Sequence, residues 1–200
     1  MLFLSKDLLV NIGTNRACYE HPKESSKCLK IDLKQNKETK RELKYYKRLQ
    51  KENIPFTMLS KYYGSQETNY GKAEVFELIR DINGKISKEV DKYLNDTNNS
   101  FENIENLLKC IPQLKKYIFE NKIYVKDLNT VNVMYQRNEN SKESRLVIID
   151  GLAHSNYNPI FYSCDYFILK KIEISWKSFI KSIKRKSIVK QNPQLFRYLQ

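Results

Sequence analysis

Residues 123–151 read IYVKDLNTVNVMYQRNENSKESRLVIIDG, and this stretch decides the fold that we expect for the chain. It contains two apolar runs, at 133–135 and 146–149, on either side of a polar segment at 138–144. Short apolar runs separated by a polar turn are typical of two antiparallel strands. The stretch therefore predicts a hairpin whose strand ends lie close together.

Three polar side chains at the ends of these runs form a candidate reaction site. Asp127 and Asn132 precede the first strand, and Asp150 follows the second. Phosphoryl transfer needs a carboxylate that accepts the proton of the attacking hydroxyl, and an amide oxygen and a second carboxylate that hold Mg²⁺ on the nucleotide phosphates. Each residue alone would more often cap a turn. Together they favour Asp127 as the catalytic base and Asn132 and Asp150 as Mg²⁺ ligands.

Six motifs follow one another in an order that resembles a known family. They are A-C-Y at 17–19, C-L-K at 28–30, R-E-L-K-Y-Y at 41–46, V-F-E-L-I-R-D at 75–81, K-D-L-N-T-V-N at 126–132 and I-I-D-G-L at 148–152. The series resembles the YrbL family of PhoP regulatory network proteins, and D-x-x-x-x-N followed by D-G resembles the catalytic loop and metal-binding Asp of protein kinases. The resemblance implies a two-lobed, protein-kinase-like α+β fold that binds ATP and Mg²⁺ between its lobes.

The predicted division places an N-lobe at residues 1–82 and a short, mostly helical C-lobe at 83–200. Period-two patterning predicts five antiparallel strands, at 8–12, 16–20, 28–33, 56–64 and 73–79. A single helix accompanies this sheet at 37–52. Helical patterning in the second part covers 87–94 with Ser87 as its cap, 101–121 with a break near Pro112, and 163–186.

Lys30 is the expected phosphate-binding cation. Strand alternation puts Lys30 on the same face as Cys28, while Lys27 falls on the other face. Glu42 lies beside the apolar stripe of the helix, and the resemblance implies that it pairs with Lys30. Glu38, one turn earlier, is the alternative partner.

Four further residues complete the predicted nucleotide site. The turn from Gly13 to Arg16 would face the phosphates with its backbone N–H groups, and Arg16 would add positive charge to a loop with a single glycine. The resemblance places Glu77 and Ile79 at the hinge that offers backbone groups to adenine. The single glycine departs from the kinase pattern, as does Asn129, which stands where many protein kinases have a lysine.

The function that we predict is transfer of the ATP γ-phosphate to an unknown acceptor, with a small molecule as one candidate. One alternative is a pseudokinase, which would bind nucleotide in the same cleft and regulate a signalling partner. Nucleic-acid binding ranks last, because the basic residues lack a recognised reading motif or interleaved exposed aromatic residues.

The charge balance indicates the sign of the partners. Lysine and arginine number 36 and aspartate and glutamate 23, which gives a net charge of +13. Such a charge favours anionic partners, although a lysine-rich solvated surface is an equal alternative. The polar face of the helix at 163–186 is basic, so an acidic or phosphorylated partner would bind there.

The remaining signals concern the compartment. Cys18, Cys28, Cys110 and Cys164 form no C-x-x-C pair, which favours reduced thiols. No apolar run approaches the roughly 20 residues of a membrane-spanning helix. We therefore expect a cytoplasmic protein, in which His154 has no assigned role.

Overall fold

The computed structural model describes residues 1–34, 37–138, 143–152 and 165–200, and it has the α+β architecture that the sequence predicts. The strands are β1 Leu9–Ile12, β2 Arg16–Glu20, β3 Lys27–Asp32, β4 Tyr62–Thr68, β5 Gly71–Glu77, β6 Lys88–Glu89, β7 Val133–Gln136 and β8 Arg145–Ile148. The helices are α1 Lys37–Lys51, α2 Val90–Asn95, α3 Phe101–Lys109, α4 Ile111–Glu120, α5 Asp165–Lys184 and α6 Ser187–Lys190. Short 3₁₀ helices lie at Lys6–Leu8 and Pro193–Tyr198.

The first five strands form one antiparallel sheet in the order β1-β2-β3-β5-β4. The central strand β3 pairs with β2 on one side and with β5 on the other, so Lys30 lies opposite Cys18 and Glu74. Side chains alternate across a strand, and residues 28–31 of β3 are all buried because both faces of the sheet are covered. The predicted five-stranded antiparallel sheet is confirmed, although its last two strands lie at Tyr62–Thr68 and Gly71–Glu77 rather than at 56–64 and 73–79.

The two faces of this sheet are covered by different parts of the chain. Leu29 and Ile31 pack on the outer face with Leu4, Ala73 and Val75, under the N-terminal segment. The other face carries Cys28, Tyr62 and Phe76, which pack in the main core with Tyr45, Tyr46 and Leu49 of α1. Lys30 therefore points to the α1 side of the sheet, as its spacing predicts.

A second sheet positions the stretch with which the sequence analysis began. It has the order β6-β7-β8, and the antiparallel pair of β7 and β8 confirms the predicted hairpin. Val133 lies opposite Ile148 in this pair. That register brings Asn132, just before β7, next to Ile149 and Asp150, just after β8.

The helix predicted at 101–121 is divided in two, as its proline suggests. Helix α3 begins after Ser100, whose side chain accepts a hydrogen bond from the Asn103 N–H at 3.2 Å. The break falls at Cys110, and Pro112 occupies the first turn of α4, where a missing N–H costs nothing.

The core is continuous across residue 82, the predicted lobe boundary. Tyr45 of α1 accepts a hydrogen bond from the Tyr124 N–H at 2.9 Å, and Tyr117 of α4 donates to the Pro55 carbonyl at 2.6 Å. Buried residues from Cys28 to Leu199 belong to the same hydrophobic cluster. The division into lobes at 1–82 and 83–200 stays a prediction.

Local details differ from the sequence predictions. Ser87 does not cap α2: its hydroxyl donates to the Asp81 carboxylate at 2.7 Å, and the helix starts after the short strand β6. At the start of α5, Tyr166 is 64% exposed, while Ile168 is buried. Residues 153–164, with His154 and Cys164, lie outside the described part of the chain.

The sequence also predicts reduced thiols and no membrane-spanning helix. Cys18, Cys28 and Cys110 are free thiols. Within the described ranges, none of the helices is both long enough and apolar enough to cross a membrane.

Candidate functional site

A cleft of about 1060 Å³ opens on the α1 side of the five-stranded sheet. It brings together all nine residues that the sequence nominates for a nucleotide site. These are Gly13, Arg16, Lys30, Glu42, Glu77, Ile79, Asp127, Asn132 and Asp150.

Backbone hydrogen bonds join the three residues proposed for catalysis and metal binding. Asp127 lies in the loop before β7, and its N–H donates to the Gly151 carbonyl at 3.2 Å. The Ile149 N–H donates to the Asn132 carbonyl at 2.9 Å, which extends the β7–β8 pairing by one more hydrogen bond. The hairpin register therefore places Asp127, Asn132 and Asp150 on one wall of the cleft.

Gly151 permits this close approach. Its φ is +88°, and a Cβ built on it would lie 2.6 Å from the Asp127 carbonyl oxygen and 3.2 Å from Asn132 Nδ2. Such distances leave no space for any side chain. The D-G pair thus has a structural reason, since glycine lets the segment after β8 lie against the loop that carries Asp127.

Two amide side chains orient the Asp127 carboxylate. Asn129 Nδ2 donates to one carboxylate oxygen at 2.8 Å, and Asn132 Nδ2 donates to the other at 3.1 Å and to the Asp127 carbonyl at 2.9 Å. With its nitrogen turned to Asp127, Asn132 retains its amide oxygen for another partner. Asn129, a departure from the kinase pattern, here positions Asp127.

Lys30 reaches across to the same wall from β3. Its ammonium donates to the Ile149 carbonyl at 2.6 Å, lies 3.9 Å from Asp150 Oδ2, and sits 4.6 Å from the centre of the Phe76 ring. The side chain is buried at 8% exposure. A cation therefore faces the carboxylate that is proposed to bind metal.

Arg16 lines the cleft, as the sequence predicts, but the sequence does not predict its two ion-pair partners. One of its guanidinium nitrogens contacts Glu42 at 2.7 Å, and the other contacts Asp150 Oδ1. The expected Lys30–Glu42 pair is thus replaced by two pairs, Arg16–Glu42 and Lys30–Asp150, which share the same cleft. Alternation with Cys18, which lies opposite Lys30, would have placed Arg16 on the cleft face. The alternative partner of Lys30, Glu38, is 3.4 Å from Lys126.

The four charged groups shift one another's ionisation. Burial, with the nearby charge of Asp150, raises the pKa of Glu42 to about 7, although Arg16 and Lys30 act in the opposite direction. Burial would also raise the pKa of Asp150, but the charges of Lys30 and Arg16 hold it well below its usual range. The two carboxyl groups are therefore shifted in opposite directions, with the pKa of Asp150 lowered and that of Glu42 raised. Among the described residues, Glu42 Oε1 has no hydrogen-bond partner.

The turn and hinge residues have backbone partners of their own. The Gly13 N–H donates to the Arg16 carbonyl at 2.8 Å and closes the β1–β2 turn. This N–H is not available to a phosphate, contrary to the expectation for Gly13. The Glu77 carbonyl accepts from the Ser60 hydroxyl at 3.1 Å, and the Ile79 carbonyl accepts from the Ser87 N–H at 3.0 Å.

The oxygen atoms on the cleft wall suit Mg²⁺. Asp127 and Asp150 supply carboxylate oxygens and Asn132 an amide oxygen, which are the hard ligands that Mg²⁺ prefers. The described part of the chain has no group of three or more His, Cys, Asp or Glu residues that could hold a metal ion unaided. Such a partial ligand set fits a metal that arrives with phosphate and keeps several waters.

Comparisons with known proteins cover the whole candidate site. The family described as PhoP regulatory network protein YrbL matches residues 2–184. The chain is 31% identical over 184 residues to "Uncharacterized protein YrbL" of Escherichia coli (strain K12), which covers 90% of this chain and 87% of that protein. The Shigella flexneri protein of the same name gives the same values.

Proposed function

The chain belongs to the YrbL family of PhoP regulatory network proteins, and from this premise we propose that it is a kinase-like phosphotransferase. It binds ATP with Mg²⁺ in the cleft and transfers the γ-phosphate to an acceptor that is still to be identified. The observation that carries this proposal is the convergence of Asp127, Asn132 and Asp150 on one wall, with Lys30 facing them at 3.9 Å from Asp150. The proposal includes the two-lobed organisation, with the cleft between residues 1–82 and 83–200.

Each residue has a distinct task in this proposal. Asp150 and the amide oxygen of Asn132 would hold Mg²⁺, whose chemistry is to neutralise phosphate charge. Lys30 would bind the nucleotide phosphates from the opposite side. Asp127 would accept the proton of the acceptor hydroxyl, and its two amide partners keep its carboxylate in one orientation. The carbonyls of Glu77 and Ile79, already hydrogen-bonded to Ser60 and Ser87, would accept a second hydrogen bond from adenine.

Arg16 would act at the phosphate end of the cleft. Its guanidinium joins Glu42 to Asp150, so phosphate and Mg²⁺ would compete with Arg16 for the same groups. A nucleotide would let Arg16 turn from Asp150 to a phosphate, because arginine binds both anions with the same pair of N–H groups. Arg16 thus supplies the charge that the short turn after Gly13 lacks.

A second candidate function is a regulatory nucleotide-binding module without catalysis. The ion pair between Arg16 and Asp150 favours this function, because Arg16 occupies the carboxylate that is proposed to bind metal. In this case the bound nucleotide would change the position of the β1–β2 turn, and no phosphate would be transferred.

Two substitutions test the assigned tasks. Asp150→Asn removes a charged metal ligand and should weaken Mg²⁺-dependent ATP binding by about 1–3 kcal/mol. Asp127→Asn should leave ATP affinity nearly unchanged and lower ATP turnover by roughly 10²–10⁴-fold, the usual effect of a positioned general base. Calorimetry and an ATP-consumption assay measure the two effects. Asp165→Asn, at an exposed position at the start of α5, is the control.

The outcomes separate the two candidate functions. Mg²⁺-dependent binding with turnover that depends on Asp127 supports the phosphotransferase. If the wild type binds ATP but consumes none with any acceptor, and Asp127→Asn changes nothing, the regulatory module is the correct function. If neither ATP nor Mg²⁺ binds, both are wrong.

A further inference from the structure

A second cavity lies apart from the cleft and shares none of its lining residues. It is a groove of about 680 Å³ between α4, α5 and the last residues, Leu199 and Gln200. Its lining on the α5 side runs from Glu173 to Arg185. At 1.5 Å per helical residue this distance is about 18 Å, so the groove is elongated along the helix.

The floor of the groove is apolar. It is formed by Trp176 and Ile180 of α5, Phe119 of α4, and Leu199. Trp176 is 4% exposed, Ile180 8% and Leu199 2%, while Phe119 is half-buried. On α5 the floor is a single row of apolar side chains, because Trp176 and Ile180 lie one helical turn apart. One alkyl chain matches such a row, whereas the apolar face of a helix needs a broader groove.

The rim of the groove is strongly basic. Five cations line it against one acidic side chain, that of Glu173: Lys115, Lys177, Lys181, Lys184 and Arg185. Lys177 contacts Glu173 at 2.6 Å, and Lys115 donates to the Gln200 backbone oxygen at 3.1 Å. Lys181 and Arg185 have no carboxylate within 4 Å among the described residues. The unpaired charge thus lies at one end of the groove.

Helix geometry accounts for part of this charge. Cations in the last turn of a helix interact favourably with its dipole, which suits Lys181 and Lys184. A dipole effect does not require an apolar groove beside the cations. The combination of an elongated apolar floor and a cationic end needs a further reason.

We propose that the groove binds a single amphiphilic molecule with one alkyl chain and an anionic head, of the long-chain fatty-acid type. The alkyl chain lies along Trp176 and Ile180, and the carboxylate lies between Lys181 and Arg185. The volume of about 680 Å³ falls in the range of small-molecule sites, roughly 300–1,000 Å³. This site is independent of the function proposed for the cleft.

The chain contains a built-in reporter for the test. Trp176 is its only tryptophan, so tryptophan emission, excited selectively over that of the 14 tyrosines, reports on the groove. Monomeric oleate should change this fluorescence with 1:1 saturation, and a dibrominated stearate should quench it. Oleyl alcohol, which has the same kind of chain without the charge, should bind at least tenfold more weakly. Equal binding of the alcohol, or no saturable change with oleate, would overturn the proposal.

A matched pair of variants tests the position of the head group. Lys181→Glu with Arg185→Glu reverses two exposed cations one helical turn apart, and it should weaken oleate binding at least tenfold. Lys47→Glu with Lys51→Glu makes the same change on exposed positions of α1 and should have no effect. Equal loss in both variants would contradict a specific site. Binding to vesicles of anionic phospholipid without binding of monomeric oleate would assign the surface to a membrane and overturn the proposal as well.

Discussion

At the scale of single residues, Gly151 has the most stringent steric requirement in the cleft. It combines a positive φ with a backbone approach that leaves no room for a Cβ. Gly84 has a similar φ of +79°, but a Cβ there would meet nothing within 4 Å. A comparison of substitutions at the two glycines therefore distinguishes the cost of a positive φ from the cost of a steric clash.

We predict that Gly151→Ala destabilises the protein more than Gly84→Ala does. The strained backbone should cost about 1–2 kcal/mol at either position. At position 151 the methyl group also forces the Asp127 loop away, so the loss should be larger and ATP binding should fall. Urea denaturation of both variants measures the difference. Equal losses would show that the approach to Asp127 does not constrain the fold.

Glu42 is the residue whose ionisation should be visible near neutral pH. Its pKa of about 7 in the folded protein lies above the ordinary glutamate value. The folded state therefore holds a proton that the unfolded state has already released. The resulting stability is complete below about pH 4.5 and is lost as the pH rises through 7.

We predict that wild-type stability falls between pH 5 and pH 8 relative to Glu42→Gln, by up to about 3 kcal/mol. Glutamine resembles the protonated carboxyl group and cannot titrate. Asp150 does not contribute to the change in stability between pH 5 and pH 8, because its pKa is lowered and it takes up a proton only in stronger acid. Chemical denaturation at several pH values tests the prediction, with Glu38→Gln, an exposed residue one turn earlier in α1, as the control. Parallel profiles for wild type and Glu42→Gln would contradict it.

At the scale of elements, the two faces of strand β3 have different roles. One face packs in a hydrophobic cluster that stabilises the fold, and the other lines the cleft. Leu29 is fully buried in the outer cluster, and Lys30, the next residue, faces the cleft. Sequence alternation predicts this arrangement, because successive side chains of a strand point to opposite faces of the sheet. A shift of the strand register by one residue would exchange the two faces.

We predict opposite consequences for substitutions at these neighbouring positions. Leu29→Ala should lower the free energy of unfolding by about 2–5 kcal/mol and leave ATP affinity unchanged under folding conditions. Lys30→Met should weaken ATP binding at least tenfold, because a charge-assisted contact is worth about 1.5–3 kcal/mol. Denaturation and calorimetry on both variants check this. Unchanged ATP binding by Lys30→Met would remove Lys30 from the site.

Short elements show where sequence reasoning fails. The two-residue strand β6 has no periodicity to detect, so Ser87 was interpreted as a helix cap, whereas its hydroxyl is held by Asp81. The cleft face of Arg16 follows from alternation, but its partner Asp150 is 134 residues further along the chain. Such a pairing depends on how β2, α1 and β8 pack together, which local patterns do not specify.

At the scale of the whole molecule, the ordered motifs predicted which residues would meet. The nine nominated residues come from both halves of the chain and line one cleft. The continuous core from Cys28 to Leu199 holds their elements in place. The exchange of partners among Lys30, Arg16, Glu42 and Asp150 was not predicted, because four charges in one buried space can pair in more than one way.

The central claim is that this cleft binds ATP together with Mg²⁺, and a calorimetric titration of the wild-type protein with ATP tests it most directly. With Mg²⁺ present we predict 1:1 binding with a Kd between about 1 µM and 1 mM, the usual range for enzyme substrates. Removal of Mg²⁺ with a chelator should weaken binding at least tenfold, because Asp150 and Asn132 would then lack the cation that joins them to phosphate. No binding at millimolar ATP, or the same affinity with and without Mg²⁺, would contradict the claim.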